Sequence, residues 1–512
     1  MFQDRRTVTI LALGLCLAYI AVRMWHLADS CLWFDEIFSV HTAEHSWSSL
    51  FRFVALDLIH PPLFYSALKM WIGIGGESVM WLRLLPVLFA ALALVPFIYL
   101  CKELKLSNSV MLLALTFLAI NGSLIKYTQT VRMYSMLMFL SLLSIWLFAR
   151  YFNRGKSFVP LLIVNLLLIY THYFGWLVVG TEIAAILIFQ RIKWRRMAAM
   201  FGILFVAFLP WLIAVVQAGT AGSDVGQNIG WMTRPGIREL ISFVFDLTEP
   251  FYFQASSADP ASTYRVSIPV VLMLLSAFVF YLITWKRDEN RQRVYFLFLF
   301  VMIPAVAAFV ASWLSPYSVW GTRHLVIVYA PAAILTAYFV DCISVPRIRT
   351  AAVTLLLLFS VYALYVQAMR PAPRYVWCEW ENVANEIKAK EDGARQTNIY
   401  TFEDLAAYHL WFALRDSEKY QVHVVKDVDV KTDDKSYFLP RGFDGVKAAK
   451  IEEIRGDEIW LAFRTSKDGE DAPLVENFTR FGYKPCPRSG VRYDMTTVFW
   501  MKMTRSGEGC GE

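Results

Sequence analysis

Long apolar runs alternate with short polar loops over the first three quarters of this chain. Runs near the length of a bilayer span lie at about 8–27, 79–100, 109–125, 133–152, 158–171, 175–190, 197–217, 266–285, 294–314, 325–341 and 350–369. A transmembrane helix needs roughly 20 apolar residues, with about 17 as the lower bound, so a few runs sit at the short end. The pattern predicts about eleven transmembrane helices over residues 1–373. The first run follows Arg5-Arg6, and Met24-Trp25-His26 is a poor small-residue cleavage site, so it reads as an uncleaved span rather than a signal peptide.

After 373 the periodicity changes. Trp380–Lys390 and Leu405–Arg415 have helical spacing, while Asn398–Phe402, Gln421–Val425, Glu458–Phe463 and Thr496–Met501 have strand-like spacing. Residues 374–512 therefore read as a soluble α/β domain. Composition sharpens this boundary. Residues 1–373 carry 28 Lys/Arg and 17 Asp/Glu, about 12% charged, and residues 374–512 carry 21 and 25, about 33%. Soluble domains average about 25%.

The net charge of +7 does not point to nucleic acid, because the cations of the first part fall in short loops. With the N-terminus in the cytoplasm, the inside loops are Lys102-Glu103-Leu104-Lys105, Arg154-Gly155-Lys156, Arg191 to Arg196, Lys286-Arg287 with Arg291 and Arg293, and Arg347-Ile348-Arg349. Every one is basic, as expected of cytoplasmic loops. An odd number of spans then places the 374–512 domain outside, in the periplasm of a cell inner-membrane protein. Seven cysteines show no metal-ligand spacing. Cys378, Cys486 and Cys510 fall in the outside domain, where one disulfide could form.

Two outside segments are long. Residues 28–78 contain Ser48–Ala55 and Pro62–Ile72, which read as interfacial helices. Residues 218–265 are rich in Gly, Ser, Asp and Pro and read as a flexible loop.

The candidate chemistry gathers on that outside face. Trp33-Phe34-Asp35-Glu36 puts adjacent carboxylates beside the first span, where a general base could act on a hydroxyl or amine, or where Asp35 could simply cap a helix. His60-Pro61-Pro62-Leu63-Phe64-Tyr65 starts a helix at a proline pair and offers His60 and Tyr65. The turn Lys126 to Tyr134 holds Lys126, Arg132 and Tyr134, and a guanidinium suits a lipid phosphate. The turns with His172 and Tyr173, and with Arg323 and His324, are further anion-site candidates. Glu182 lies inside a span and either lines a cavity or pairs with a neighbour.

These motifs, in this order and with this topology, resemble the GT-C superfamily of polyprenyl-phosphate-sugar-dependent glycosyltransferases, in the protein O-mannosyltransferase and aminoarabinose transferase branch. The resemblance covers about 1–370 and is weak in the tail. It rests on Trp33-Phe34-Asp35-Glu36, His60 to Tyr65, Arg132-Met133-Tyr134, and Arg323 before Leu325 and Pro331. It implies a GT-C-type fold and an inverting transfer from a lipid-phosphate sugar to a lipid, glycan or protein acceptor on the periplasmic face. Asp35 would be the base and Glu36 would help bind the acceptor. Arg132 and Arg323 would hold the donor phosphate, joined by Lys126, His172 and Tyr173. His324 stands where many relatives have Tyr. Some members need a divalent metal and others do not, and the resemblance assigns no metal ligand here. A transporter or lipid flippase would favour repeated halves and charges near the membrane midplane, whereas no repeat is found and the notable charges cluster on one face. A polysaccharide ligase or polymerase is a second alternative. A non-catalytic receptor leaves Asp35-Glu36 unexplained.

Overall fold

The computed structural model describes residues 5–190, 193–248, 264–285, 291–369, 375–391, 396–426, 428, 437–466, 472–493, 496–506 and 510. An apolar helix lies at each of the eleven places the sequence pattern marks. Six are long enough to cross a bilayer: Arg5–Met24, Val79–Glu103, Tyr134–Arg154, Trp194–Thr220, Arg291–Leu314 and Pro346–Tyr365. Asn108–Ile120 and Gly122–Thr128 form one further pair, bent by 61°. Among the described residues three apolar helices are shorter, Phe158–Thr171, Gly175–Phe189 and Val326–Asp341, and Tyr264–Thr284 completes the eleven. The chain is a multi-pass membrane protein.

The bend has a local cause. Ile120 ends one helix, and the Asn121 side chain caps the next by accepting from Leu124 N at 2.9 Å. Carbonyls at the end of the first piece lose their intrahelical partners. The guanidinium of Arg23, itself buried, supplies donors to Leu118 O at 2.9 Å and Ala119 O at 3.2 Å. A cation inside the first span is thereby tied to the break.

Side-chain contacts sort the loops into two groups. Arg154 pairs with Glu103 at 2.7 Å, Lys193 donates to Tyr151 O and Phe152 O, and Arg293 donates to Lys105 O. Ser107 donates to Asp341, which also pairs with Arg349. These residues belong to the basic loops or border them, so the described basic loops gather at one end. The candidate turns around residues 60, 132, 172 and 324 gather among themselves, as described below. Arg191, Ile192 and 286–290, also parts of the basic loops, lie outside the described residues.

Glu182 pairs rather than lining a cavity. It is fully buried, and its two carboxyl oxygens contact Ser144 Oγ at 2.6 Å and Asn165 Nδ2 at 2.7 Å. Ser144 Oγ also lies 2.6 Å from Asn165 Oδ1, which closes the ring of three side chains.

The described part of 218–265, expected as a flexible loop, contains regular structure. Gly226–Ile229 and Ile237–Thr248 are helices. The second is amphipathic, and its Phe243 is buried against Trp320 and Tyr329. Apolar residues at helical spacing outweigh the Gly- and Pro-containing stretch before them. Residues 249–263 lie outside the described residues.

A second compact unit combines Ala28–His41 with Ala372–Glu512. Its strands are β1 Thr397–Thr401, β2 Tyr420–Val425, β3 Val446–Ala449, β4 Glu458–Ser466, β5 Lys484–Pro485, β6 Ser489–Arg492 and β7 Thr496–Thr504. The order is β3-β2-β1-β4-β7-β5, with β6 also on β7. Pairs β1/β2, β2/β3 and β1/β4 are parallel, and β7 pairs antiparallel with β4, β5 and β6. Helices Glu379–Lys390 and Asp404–Leu414 cover one face through Trp380, Ile387 and Leu410, and Phe478 of Ala472–Thr479 covers the other. All six helical and strand-like stretches of the tail fall where the sequence places them, while the short β3, β5 and β6 have no clear period. Two disulfides replace the single one expected: Cys486–Cys510 and Cys31–Cys378. The second joins segments 347 residues apart, a pairing that no local spacing announces.

Candidate functional site

His60 sits between helices Trp47–Asp57 and Leu63–Gly75. Leu58 adopts the left-handed region at φ 65° to end the first helix, and Pro61-Pro62 leads into the second. The chain turns sharply there and buries His60. His60 Nδ1 lies 3.4 Å from Arg132 Nη2 and 3.8 Å from Asp57 Oδ2. Arg132 is also buried, and its Nη1 donates to Tyr65 OH at 3.3 Å. Asn228, from the second long loop, donates to both Asp57 O and Asp57 Oδ1.

His172 caps the end of Phe158–Thr171, and its Nδ1 accepts from Phe174 N at 3.0 Å. The His172 ring lies 5.3 Å from that of His60 and 5.2 Å from that of His324. The Val319 backbone adjoins His324, and Val319 N–H is given to Ser312 Oγ at 3.0 Å. Tyr134 approaches the His324 ring at 6.4 Å. Arg323 stacks over Trp231 at 5.4 Å, and its charge acts on all three histidines. Next to it, Thr322 meets Tyr127 OH at 2.8 Å.

Burial, followed by the charges of Arg132 and Arg323, pushes the His172 pKa down to about 3. Burial also holds His60 and His324 well below the usual histidine range, again with the arginines adding to it. All three imidazoles are therefore neutral near pH 7. The result is a buried cationic centre built from two guanidiniums and three neutral rings. Such an arrangement suits an oxyanion, which accepts from fixed donors and offsets the arginine charge.

Of the residues singled out in the sequence, His60, Tyr65, Arg132, His172, Arg323 and His324 converge, with Tyr134 at the edge. Tyr173 is turned to Trp211, whose indole N–H donates to its hydroxyl at 3.2 Å, and burial raises its pKa to about 12. Lys126 is half-buried, and its carbonyl accepts from Thr130. Asp57, Asn228, Tyr127 and Thr322 were not singled out. Asp57 stands three residues before His60, so an acidic residue just ahead of the proline pair was the available signal. Asn228 had none, because its partner is 171 positions away.

Asp35 and Glu36 begin helix Phe34–Glu44. Glu36 is buried, and its carboxylate accepts from Trp33 N at 3.1 Å, a cap on the helix start. Asp35 is half-buried, and its carbonyl accepts from Ser39. Within the second unit, Phe34 packs on Tyr408 and Tyr437, and His41 Nδ1 meets Tyr408 OH at 2.9 Å.

The chain has a GT-C-type fold: a bundle of apolar helices with its candidate turns gathered at one end, and an α/β unit. Among solved structures, ArnT from Cupriavidus metallidurans in the apo state matches with a TM-score of 0.57 at 12% identity, covering 96% of this chain and 97% of that one. ArnT bound to undecaprenyl phosphate matches with a TM-score of 0.55 at 13% identity, covering 97% and 98%. The Archaeoglobus fulgidus oligosaccharyltransferase tethered to an acceptor peptide matches with a TM-score of 0.50 at 12% identity. That match covers 80% of this chain and 63% of the oligosaccharyltransferase, so the chain spans less than two thirds of its length. No family profile and no curated protein matches the sequence. At these identities the likeness establishes the fold.

Proposed function

We propose that this protein is an integral membrane glycosyltransferase that moves a sugar from a polyprenyl-phosphate carrier to a lipid, glycan or protein acceptor. The observation that carries this reading is the convergence of Arg132, Arg323 and three neutral histidines, from four separate turns, into one buried centre fit for a phosphate. A fold shared with ArnT, which has been seen with undecaprenyl phosphate, supports the choice of anion. The basic loops at the opposite end support a cytoplasmic N-terminus and a periplasmic reaction face in the inner membrane.

In this reading Asp35 is the base. An acceptor hydroxyl or amine attacks the anomeric carbon, and the bond from that carbon to the phosphate oxygen breaks. The acceptor proton passes to the Asp35 carboxylate and polyprenyl phosphate leaves with the bonding pair. Attack opposite the leaving group inverts the anomeric configuration. Arg132 and Arg323 stabilise the charge that grows on the phosphate, and Glu36 orders the start of the helix that carries Asp35.

The test is turnover of purified Asp35→Asn with a polyprenyl-phosphate sugar. Asparagine keeps size and polarity but cannot take a proton. A general base contributes about 10²–10⁴-fold, so turnover is expected to fall by that factor while the protein stays inserted. Near-normal transfer would return Asp35 to helix capping.

A further inference from the structure

We propose that His60, His172 and His324 together bind one divalent transition metal of the zinc class, with a phosphate oxyanion as its remaining ligand. Ligand-capable nitrogens of the three rings all lie within 4.8 Å of one another, and all three side chains are buried. They come from three turns far apart in sequence, so no local hairpin forces them together. His60 Nε2 is buried and has no hydrogen-bond partner among the described residues. A buried nitrogen in that condition is costly unless something fills its valence.

Metal-bound imidazoles are held through their far nitrogen by a carboxylate or a carbonyl. The Asp57 carboxylate, fixed by Asn228, stands 3.8 Å from His60 Nδ1 and is the group placed to take that role once the rings close inward. A ligand set of imidazoles without thiolates suits zinc, cobalt, nickel or copper rather than magnesium or calcium. Three protein ligands leave one tetrahedral position open. Nitrogens in such a site stand roughly 3.3 Å apart, given metal–nitrogen distances of about 2.0–2.1 Å, so the rings close inward on binding. His172 then exchanges its contact with Phe174 N for the metal.

Charge decides the fourth ligand. Arg132 Nη2 lies 3.4 Å from His60 Nδ1, and Arg323 adjoins His324. Two guanidiniums make this centre hostile to a bare dication, whereas an oxyanion on the metal neutralises the group. Metal and phosphate should therefore bind cooperatively. The identity of the anion as the carrier phosphate rests on the proposed function; the trihistidine site itself does not.

The test uses the full chain in detergent, stripped with chelator and then titrated with zinc chloride, or with cobalt(II) chloride for its visible absorption. The titrations are run alone, with inorganic phosphate, and with undecaprenyl phosphate. One equivalent is expected, with a tetrahedral cobalt spectrum and affinity about 5- to 150-fold higher with undecaprenyl phosphate. His172→Ala and His324→Ala are each expected to weaken binding about 100-fold, while His45→Ala, away from the cluster, binds like the parent. Monodisperse elution of each variant controls for folding. Substoichiometric binding by the parent, or equal binding by all variants, overturns the metal site. Affinity indifferent to both anions overturns the fourth ligand. Inorganic phosphate acting as strongly as the lipid keeps the metal and the oxyanion but overturns the carrier as its source. Metal content is read without any sugar transfer, so failure of the transferase assay leaves this result standing.

Discussion

Glu182, Ser144 and Asn165 close on one another inside the membrane unit, each contact at 2.6–2.7 Å. His60, Arg132, His172 and His324 are also buried, but His60 Nε2 is left over. A polar set that satisfies itself can stay in an apolar interior as a packing element. A polar set with spare valence at a buried ring nitrogen is poised for a ligand. The first cluster reads as structure and the second as a site, although a lone charge inside a span draws more attention in the sequence.

Acidification is expected to separate the two most strongly. The histidines have pKa values lowered by folding, so between about pH 6.5 and the folded values, near 3 for His172, the unfolded chain binds more protons. Stability then falls as pH drops through that window, by up to about 1.4 kcal/mol per pH unit for each histidine. Thermal unfolding of the detergent-solubilised protein across this range checks it, and a His172→Gln variant should show a shallower slope. A slope unchanged in that variant would mean that other groups govern acid unfolding.

Next in size, Glu182→Leu leaves the Asn165 amide N–H buried without its carboxylate acceptor, at about 1–3 kcal/mol, while Ser144 keeps Asn165 Oδ1. The melting temperature should drop, yet donor affinity per folded molecule should hold. A selective loss of donor binding would move Glu182 into the site and erase the distinction between the clusters.

Arg132→Lys is the smaller, sharper probe. It keeps the charge but loses the fork that reaches both Tyr65 and His60. Losing one charge-assisted contact of about 1.5–3 kcal/mol corresponds to roughly 10- to 150-fold in donor affinity. Dependence of the rate on donor and acceptor concentration checks this. An effect confined to the acceptor would place Arg132 on the acceptor side.

The sequence by itself determined the eleven apolar helices, the basic loops and the switch to an α/β tail. These follow from hydrophobic period, span length and charge density, all of which are local properties. It also marked most of the residues that meet at the centre, because His, Arg and Tyr in short turns between apolar runs are expensive to place there without a partner. Tertiary structure decided what those residues do to one another. That Asp57 backs His60, that Asn228 reaches across 171 positions to hold Asp57, and that Cys31 pairs with Cys378 are outcomes of chain closure. The same holds for the helix Ile237–Thr248, whose Phe243 found a buried place against Trp320. Periodicity reports which face of a segment avoids water; which other segment covers that face depends on packing among residues hundreds of positions apart, and no local pattern encodes it.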